Sequence, residues 1–500
     1  MKQVIATLVL FLQFLLVGGI AIAQKKVYTL PKRSAVVLRE DLSLLQKILE
    51  ANHPSLYWYT PKDSMDAYFA SAINSITDSL NEVQFKNKVA RVVSKIRCGH
   101  TSVHFSKTYL KNATRFRFPV FPLNLKAWGD SLVVLNSLRT RDSVFKRGTI
   151  ITGINGRNNR QLLDTIFQYM SADGYGTNYK NQMVSSNFPG WYKTILGVDS
   201  SYRINYIDST GKEALAVIKN FSPAVDPSKR EKNNIGFSFP KPTHKQIREM
   251  NRLTKRSLVI DTALNTAFIR LSTFSGNGLG RFFRRSFKTI QEHDLKHLVI
   301  DLRENGGGKV TTSILLTQYL IDHPFKVGDS VVAISRQFKY GRYIKPAWPY
   351  WFAMNFGSQK MKDGLVHFRH YETKLFTPKK RFHFNGDVTL VQGGFSFSAT
   401  TMFIANLKSQ KNITLLGEET GGGYYGNSAM YLPSIVLPNS GLEVSLPMFR
   451  LVMDPARPKG RGIFPDIEVP PSSAAIKRGI DLKMQLIRER IRQKAVPPAL

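Results

Sequence analysis

The stretch VTLVQGGFSFSATTMFIANL, residues 388–407, opens as a strand and closes as a helix. Val388, Leu390 and Val391 make a short apolar run of the kind that fills a buried strand. Gly393-Gly394 supplies a turn, and Met402, Phe403 and Leu407 give the segment 399–408 the apolar side of a helix. Ser398 therefore falls at a helix N-terminus. There a hydroxyl feels the positive end of the helix dipole, and the free N–H of Ala399 points at the same space. An acyl-transfer nucleophile needs that pairing of exposed hydroxyl and oxyanion donor. An ordinary N-cap serine sits in the same place without chemistry, and this stretch alone favours the cap. The hydrolase elbow G-x-S-x-G is absent, because Gly394-Phe395-Ser396-Phe397 leads to Ser398.

On both sides of this stretch strands alternate with helices. Residues 267–271, 297–301 and 413–416 read as strands, and 282–292 and 311–320 as helices, which implies a sheet covered by helices. LVIDLRENGGGK, residues 298–309, runs from a hydrophobic strand through Asp301 and Arg303 into Gly306-Gly307-Gly308. Three glycines let the backbone turn sharply and present bare N–H groups, as a second oxyanion donor requires. A phosphate loop is excluded, since Arg303 and Val310 stand where G-x-x-x-x-G-K-[ST] needs Gly and Ser/Thr. The plainer alternative is a βα turn.

Upstream, residues 34–98 carry helical periodicity: Leu38, Leu42, Leu45 and Leu49, then Phe69, Ile73 and Ile76, then Phe85, Val89, Val92 and Ile96. KIRCGHTSVHF, residues 95–105, places His100 just after a helix and its Gly99 stop. Histidine is the usual base for a serine nucleophile, although a single histidine is more often structural. The pairs His100/His104 and His367/His370 lack a carboxylate at metal-site spacing, so no metal is expected. Residues 131–135 and 148–153 read as strands, 161–170 as a helix, and the polar, basic stretch 226–257 as a linker or insertion.

The chain has 500 residues, 42% hydrophobic and 11% aromatic, which suits more than one folded unit and excludes a disordered chain. Lys2, the uncharged run from Val4 and Ala21-Ile22-Ala23 before Gln24 read as a signal peptide over 1–23. An exported, periplasmic or extracellular protein is the expectation. Cys98 is the one cysteine, so no intrachain disulfide forms, and its helical setting suits buried packing. The formal charge of +36 is spread along the chain without a nucleic-acid-binding pattern. It suits non-specific association with an anionic envelope surface. An adhesion protein driven by that charge is one function class.

Together and in this order, these stretches resemble the S41 peptidases, the carboxy-terminal processing (tail-specific) proteases and the tricorn protease core. LVIDLRENGGG resembles the family's strand and Gly-rich turn, and GGFSFSATTMFIANL its serine region. GEETGGGYYGN (417–427) and GRGIFPDIEV (460–469) resemble two later motifs, and CGHTSV the histidine motif. KRGTIITGINGRNNRQLL resembles part of a PDZ-type module. The resemblance implies an α/β, multi-domain (α+β) architecture: a helical N-terminal subdomain (24–115), a PDZ-like module (116–225), the linker (226–257), a crotonase/ClpP-like β/α peptidase core (258–475) and a C-terminal helix (476–500). It implies a serine endopeptidase without cofactor, acting on protein or peptide substrates. Ser398 is then the nucleophile, with Ser396 as fallback, and His100 the general base. Ala399 and Gly308 supply the oxyanion hole, and Asp301, Gly306 and Gly307 support the Gly-rich turn. The Ser–Lys branch of the family has a lysine 25 residues after the serine, where this chain has Gly423. The tricorn-like branch orients its histidine with a glutamate, where this chain has Lys459; Glu419 and Asp454 are the substitutes considered, beside Thr101 or a backbone carbonyl. A retinoid-binding protein of the eye uses part of this fold without proteolysis, so a catalytically weak or inactive peptide- or lipid-binding protein is the alternative.

Overall fold

The computed structural model describes residues 30–113, 118–139, 142–222 and 242–495; the signal segment expected over 1–23 lies outside the described residues. At the centre stands a six-stranded sheet in the order Arg256–Asp261, Thr266–Leu271, His297–Asp301, Asp387–Gln392, Ile413–Gly417, Ile467–Glu468. The first pair is antiparallel and the others parallel. Helices Leu279–Glu292, Val310–Thr317 and Ala399–Leu407 each follow a strand of this sheet.

Parallel strands are buried on both faces, and successive residues point to opposite sides. Leu298, Ile300 and Leu390 accordingly enter the main core. Val299, Val391 and Leu416 enter a smaller cluster with Ile487 and Ile491 of the helix Leu482–Ala495. Each such side chain contributes about 1.5–3 kcal/mol on burial.

Helices Ala35–Asn52, Lys62–Asn74 and Glu82–Val93 form the N-terminal part. The third begins at a capping box, the Asn81 side chain accepting from the Gln84 N–H while the Gln84 side chain accepts from the Asn81 N–H. Leu42, Leu45, Phe69 and Phe85 belong to the same apolar cluster as the central sheet, so the helices share one core with it. The chain then crosses a 3-10 turn, Ser94–Ile96, and strand Val103–His104 pairs with Glu443–Ser445. His100 lies between these two fixed points. Asp41, buried in the first helix, accepts from the N–H groups of Asn439 (3.0 Å) and Ser440 (2.7 Å) and fastens the helix to the core.

Residues 121–218 build a second core around Phe121, Phe188 and Tyr202. Its antiparallel sheet runs Leu123–Trp128, Ser131–Ser137, Ile150–Ile154, Ser201–Ile207, Glu213–Lys219. Helices Asn159–Phe167, Asn178–Ser186 and Phe188–Leu196 lie between its third and fourth strands in the chain.

Two expectations are corrected. The described part of the basic stretch is a helix, His244–Lys255, capped reciprocally by Thr243 and Gln246, followed by strand Arg256–Asp261. None of that helix is buried, and its apolar residues Ile247, Met250 and Leu253 are exposed. The C-terminal segment is two helices, Ser473–Arg478 and Leu482–Ala495, separated at Gly479, whose φ of 70° ends the first.

Replacing Asp41 by Ala strands one buried N–H donor, Ser440, and one part-buried, Asn439, at a cost of about 2 kcal/mol. The amides of Asn439 and Ser440 are expected to exchange hydrogen about 30-fold faster in that variant, measured by native-state exchange.

Candidate active site

The C-terminal ends of two neighbouring parallel strands create the site. The Leu302 N–H donates to the Val391 carbonyl at 2.8 Å, and the Phe397 N–H donates to the Asn305 carbonyl at 3.2 Å. These bonds tie the glycine turn to the serine turn. Ser398 itself has φ 55° and ψ −123°, a conformation an L-residue adopts at a cost of about 1–3 kcal/mol. It is part-exposed at the N-terminus of helix Ala399–Leu407, with no side-chain cap bond. It therefore does not act as the N-cap its position suggested. Close backbone packing holds it there. A Cβ on Gly307 would lie 2.7 Å from the Ser398 Cβ, and one on Gly422 would lie 3.1 Å from the Ser398 nitrogen.

Ser396, the fallback nucleophile, is excluded by position. It is completely buried, and its hydroxyl donates to the Leu302 carbonyl (2.9 Å) while accepting from the Gly393 N–H (3.1 Å).

Gly307 and Gly308 have φ of 96° and 138°, so this turn needs both glycines. The Gly307 N–H is taken by the Asn305 side-chain oxygen at 3.0 Å, and its carbonyl accepts from the Phe274 N–H at 2.8 Å. The Gly308 and Ala399 N–H groups have no acceptor among the described residues. Gly306 is exposed. Asp301 grips Arg303 through both carboxylate oxygens (2.9 and 2.7 Å), and Arg303 also grips Asp481, which steadies the turn from outside.

His100 packs against the residue preceding Ser398: the His100 and Phe397 rings are 4.7 Å apart, and Phe397 also stacks on Tyr179. The Nδ1 edge of His100 is buried and has no hydrogen-bond partner. Burial holds the imidazole neutral, lowering its pKa to about 4. Beside it lies a residue the sequence reading missed. The carboxylate of Asp173, a His100 ring nitrogen and the Cys98 sulfur all lie within 4.8 Å of one another. Asp173 is 5% exposed and accepts from the N–H groups of Gly99 (2.7 Å) and Gly423 (3.3 Å). Burial raises its pKa to about 7, the two N–H donors opposing the rise. Asp173 therefore bridges the residue before His100 and the glycine loop packed on Ser398. Its sequence signal, a lone Asp in SADGYG 225 residues before Ser398, gave nothing to pair it with His100.

By atom type Cys98, His100 and Asp173 also make a three-ligand group of metal-binding size. Cys98 is buried, and burial pushes its thiol up to about 12, so it packs as a neutral side chain.

The other candidates are engaged elsewhere. Glu419 forms a two-point ion pair with Arg461 (3.0 and 2.7 Å) and accepts from the Gly462 N–H. Asp454 pairs with Arg457 and accepts from the Ala456 N–H. Thr101 shares its hydroxyl with His53 at 2.8 Å. None of the three bonds His100, so the structure gives no support to any of them as its orienting partner. The Lys459 ammonium donates to the Trp58 carbonyl. His104 bonds Ser102 and Ser445, and His367 bridges Asp363 and Glu372.

Residues 265–469 match the model of peptidase family S41. No curated protein matches the chain. Among solved structures, mature CPAF is 13% identical, covers 92% of this chain and 97% of its own, and superposes with a TM-score of 0.62. Mature CPAF complexed with lactacystin is 14% identical, with 92% and 98% covered and a TM-score of 0.62. At such identity the likeness concerns the fold. The matched segment is a peptidase family S41 domain, and the chain is a serine-type peptidase through that domain.

The backbone at Ser398 yields a stability test. Ser398→Gly is expected to be about 1 kcal/mol more stable than Ser398→Ala, because glycine accepts positive φ and alanine does not. Thermal unfolding of the two variants checks it.

Proposed function

We propose that this chain is an exported endopeptidase in which Ser398 attacks the scissile carbonyl and His100 takes the hydroxyl proton. The N–H groups of Gly308 and Ala399 receive the oxyanion. His100 then passes the proton to the leaving amine, and water, deprotonated by the same imidazole, hydrolyses the acyl-enzyme and restores Ser398. The observation that carries this reading is the positive φ of Ser398 at a helix N-terminus, beside two N–H groups without acceptors. A peptidase lays its nucleophile bare in this way, and a simple cap has no use for the strain. Export rests on the signal segment at 1–23. The sheet and helices of residues 121–218 are consistent with a PDZ-like module that holds a substrate chain end.

Asp173 is the positioning residue in this scheme. It stands in for the carboxylate that Lys459 replaces, and a small ring movement brings the buried Nδ1 edge onto it. The ionised carboxylate then stabilises the imidazolium formed during attack.

Three measurements test the scheme. Ser398→Ala is expected to abolish hydrolysis of a denatured protein and labelling by a fluorophosphonate, with an unchanged circular dichroism spectrum. Persisting hydrolysis would refute Ser398 as nucleophile, while a wild-type chain that ignores the probe and still binds peptide is a binder on this fold. For pH, neutral His100 is present above about pH 4, and the Asp173 carboxyl loses its proton near 7. The wild-type kcat/KM should therefore rise with pH through an apparent value near 7 that belongs to the pair. Asp173→Asn should lower kcat/KM by about 10²–10⁴-fold and remove that limb. A loss of rate with the limb unmoved would make Asp173 merely structural.

A further inference from the structure

The helix Trp348–Gly357, WPYWFAMNFG, is apolar or aromatic at nearly every position, yet most of it lies at the surface. Trp348, Trp351, Phe352 and Phe356 recur at helical spacing, so they form one stripe. They are 76%, 48%, 55% and 73% exposed, while the one buried residue of the helix is Met354. The stripe is ordered: the Phe352 and Phe356 rings lie 4.3 Å apart. The helix is anchored beneath by Met354 in the main core and by the Ser358 hydroxyl, which donates to the Met354 carbonyl. Contiguous exposed apolar surface of this kind marks a docking site.

Charge selects the occupant. Lys339, Arg342, Lys345, Lys360 and Lys362 flank the helix on both sides in the chain, and residues 338–362 contain no Asp or Glu. All five cations are exposed, and none has a carboxylate partner among the described residues. A second copy of the chain laid stripe to stripe would bring these like charges together. Protein interfaces also favour Arg over Lys, whereas four of these five are Lys. Tryptophan prefers the boundary between water and acyl chains, and lysines alongside it meet anionic headgroups. We infer that this helix docks the protein onto an anionic lipid bilayer, lying flat with the aromatic stripe in the headgroup–acyl boundary and the lysines at the phosphates. A ten-residue helix spans about 15 Å, so it lies in one leaflet and does not cross.

The test uses the full chain and vesicles of phosphatidylcholine, with or without phosphatidylglycerol, at physiological salt. The wild type is expected to sediment with the anionic vesicles at least about tenfold more strongly than with the neutral ones. Trp348→Ser/Trp351→Ser/Phe356→Ser should lose about tenfold or more of that binding, with its thermal midpoint and its rate on a soluble peptide unchanged. Lys345→Glu/Lys360→Glu should erase the preference for anionic lipid. Absence of vesicle binding overturns the inference. So does binding that survives the triple substitution, which would assign it to the charge of the whole surface. A wild-type dimer that the triple variant converts to monomer also overturns it, because the stripe is then a contact between copies. Ser398→Ala should bind vesicles as the wild type does, so the outcome is separate from the peptidase scheme.

Discussion

Two main-chain hydrogen bonds between neighbouring turns carry the site: Leu302 to Val391 and Phe397 to Asn305. Strands His297–Asp301 and Asp387–Gln392 are parallel and paired in register, so their ends arrive side by side. Both turns therefore open at the same edge of the sheet. The left-handed backbone of Ser398 is unfavourable by itself, and it persists because the glycine turn and the loop through Gly422 leave it no other room. Side chains larger than hydrogen at Gly307 or Gly422 would meet Ser398 or Thr401. Asn305 adds the finishing constraint. By accepting from the Gly307 N–H it turns that amide aside and leaves the Gly308 N–H without an acceptor.

Around this fixed edge the other groups come from distant parts of the chain. His100 follows the N-terminal helices, whose leucines and phenylalanines are embedded in the same core as the central sheet. Asp173 follows the helix Asn159–Phe167 of the second unit and reaches the glycine loop at Gly423. Burial disfavours the charged form of each, lowering the imidazole and raising the carboxyl, so the imidazole is neutral while the carboxyl loses its proton near pH 7.

Much of the central sheet was legible because its strands are short apolar runs ended by glycine or polar residues. The segments 297–301 and 399–408 were read almost to the residue, against His297–Asp301 and Ala399–Leu407. Those signals are local. The exposed helix His244–Lys255 left two traces that its polar, basic composition outweighed, Ile247, Met250 and Leu253 at helical spacing and the Thr243–Gln246 capping pair. Ser398 and Ser396 could not be separated by pattern alone, since burial decides between them and burial is a property of the folded chain. Asp173 was invisible for a related reason. Its meaning comes from proximity to His100 and Gly423 in space, and a single Asp in a glycine-rich loop has no periodicity to betray it.

The sharing of one hydrophobic interior by the N-terminal helices and the central sheet bears on how the gene product can be divided. The family-matched segment 265–469 contains the hydroxyl but neither the imidazole nor the buried carboxylate. A fragment cut to that segment would lose the helices that complete its interior, together with His100 and Asp173. Its apolar surface would then face water where the leucines and phenylalanines of residues 35–93 now cover it.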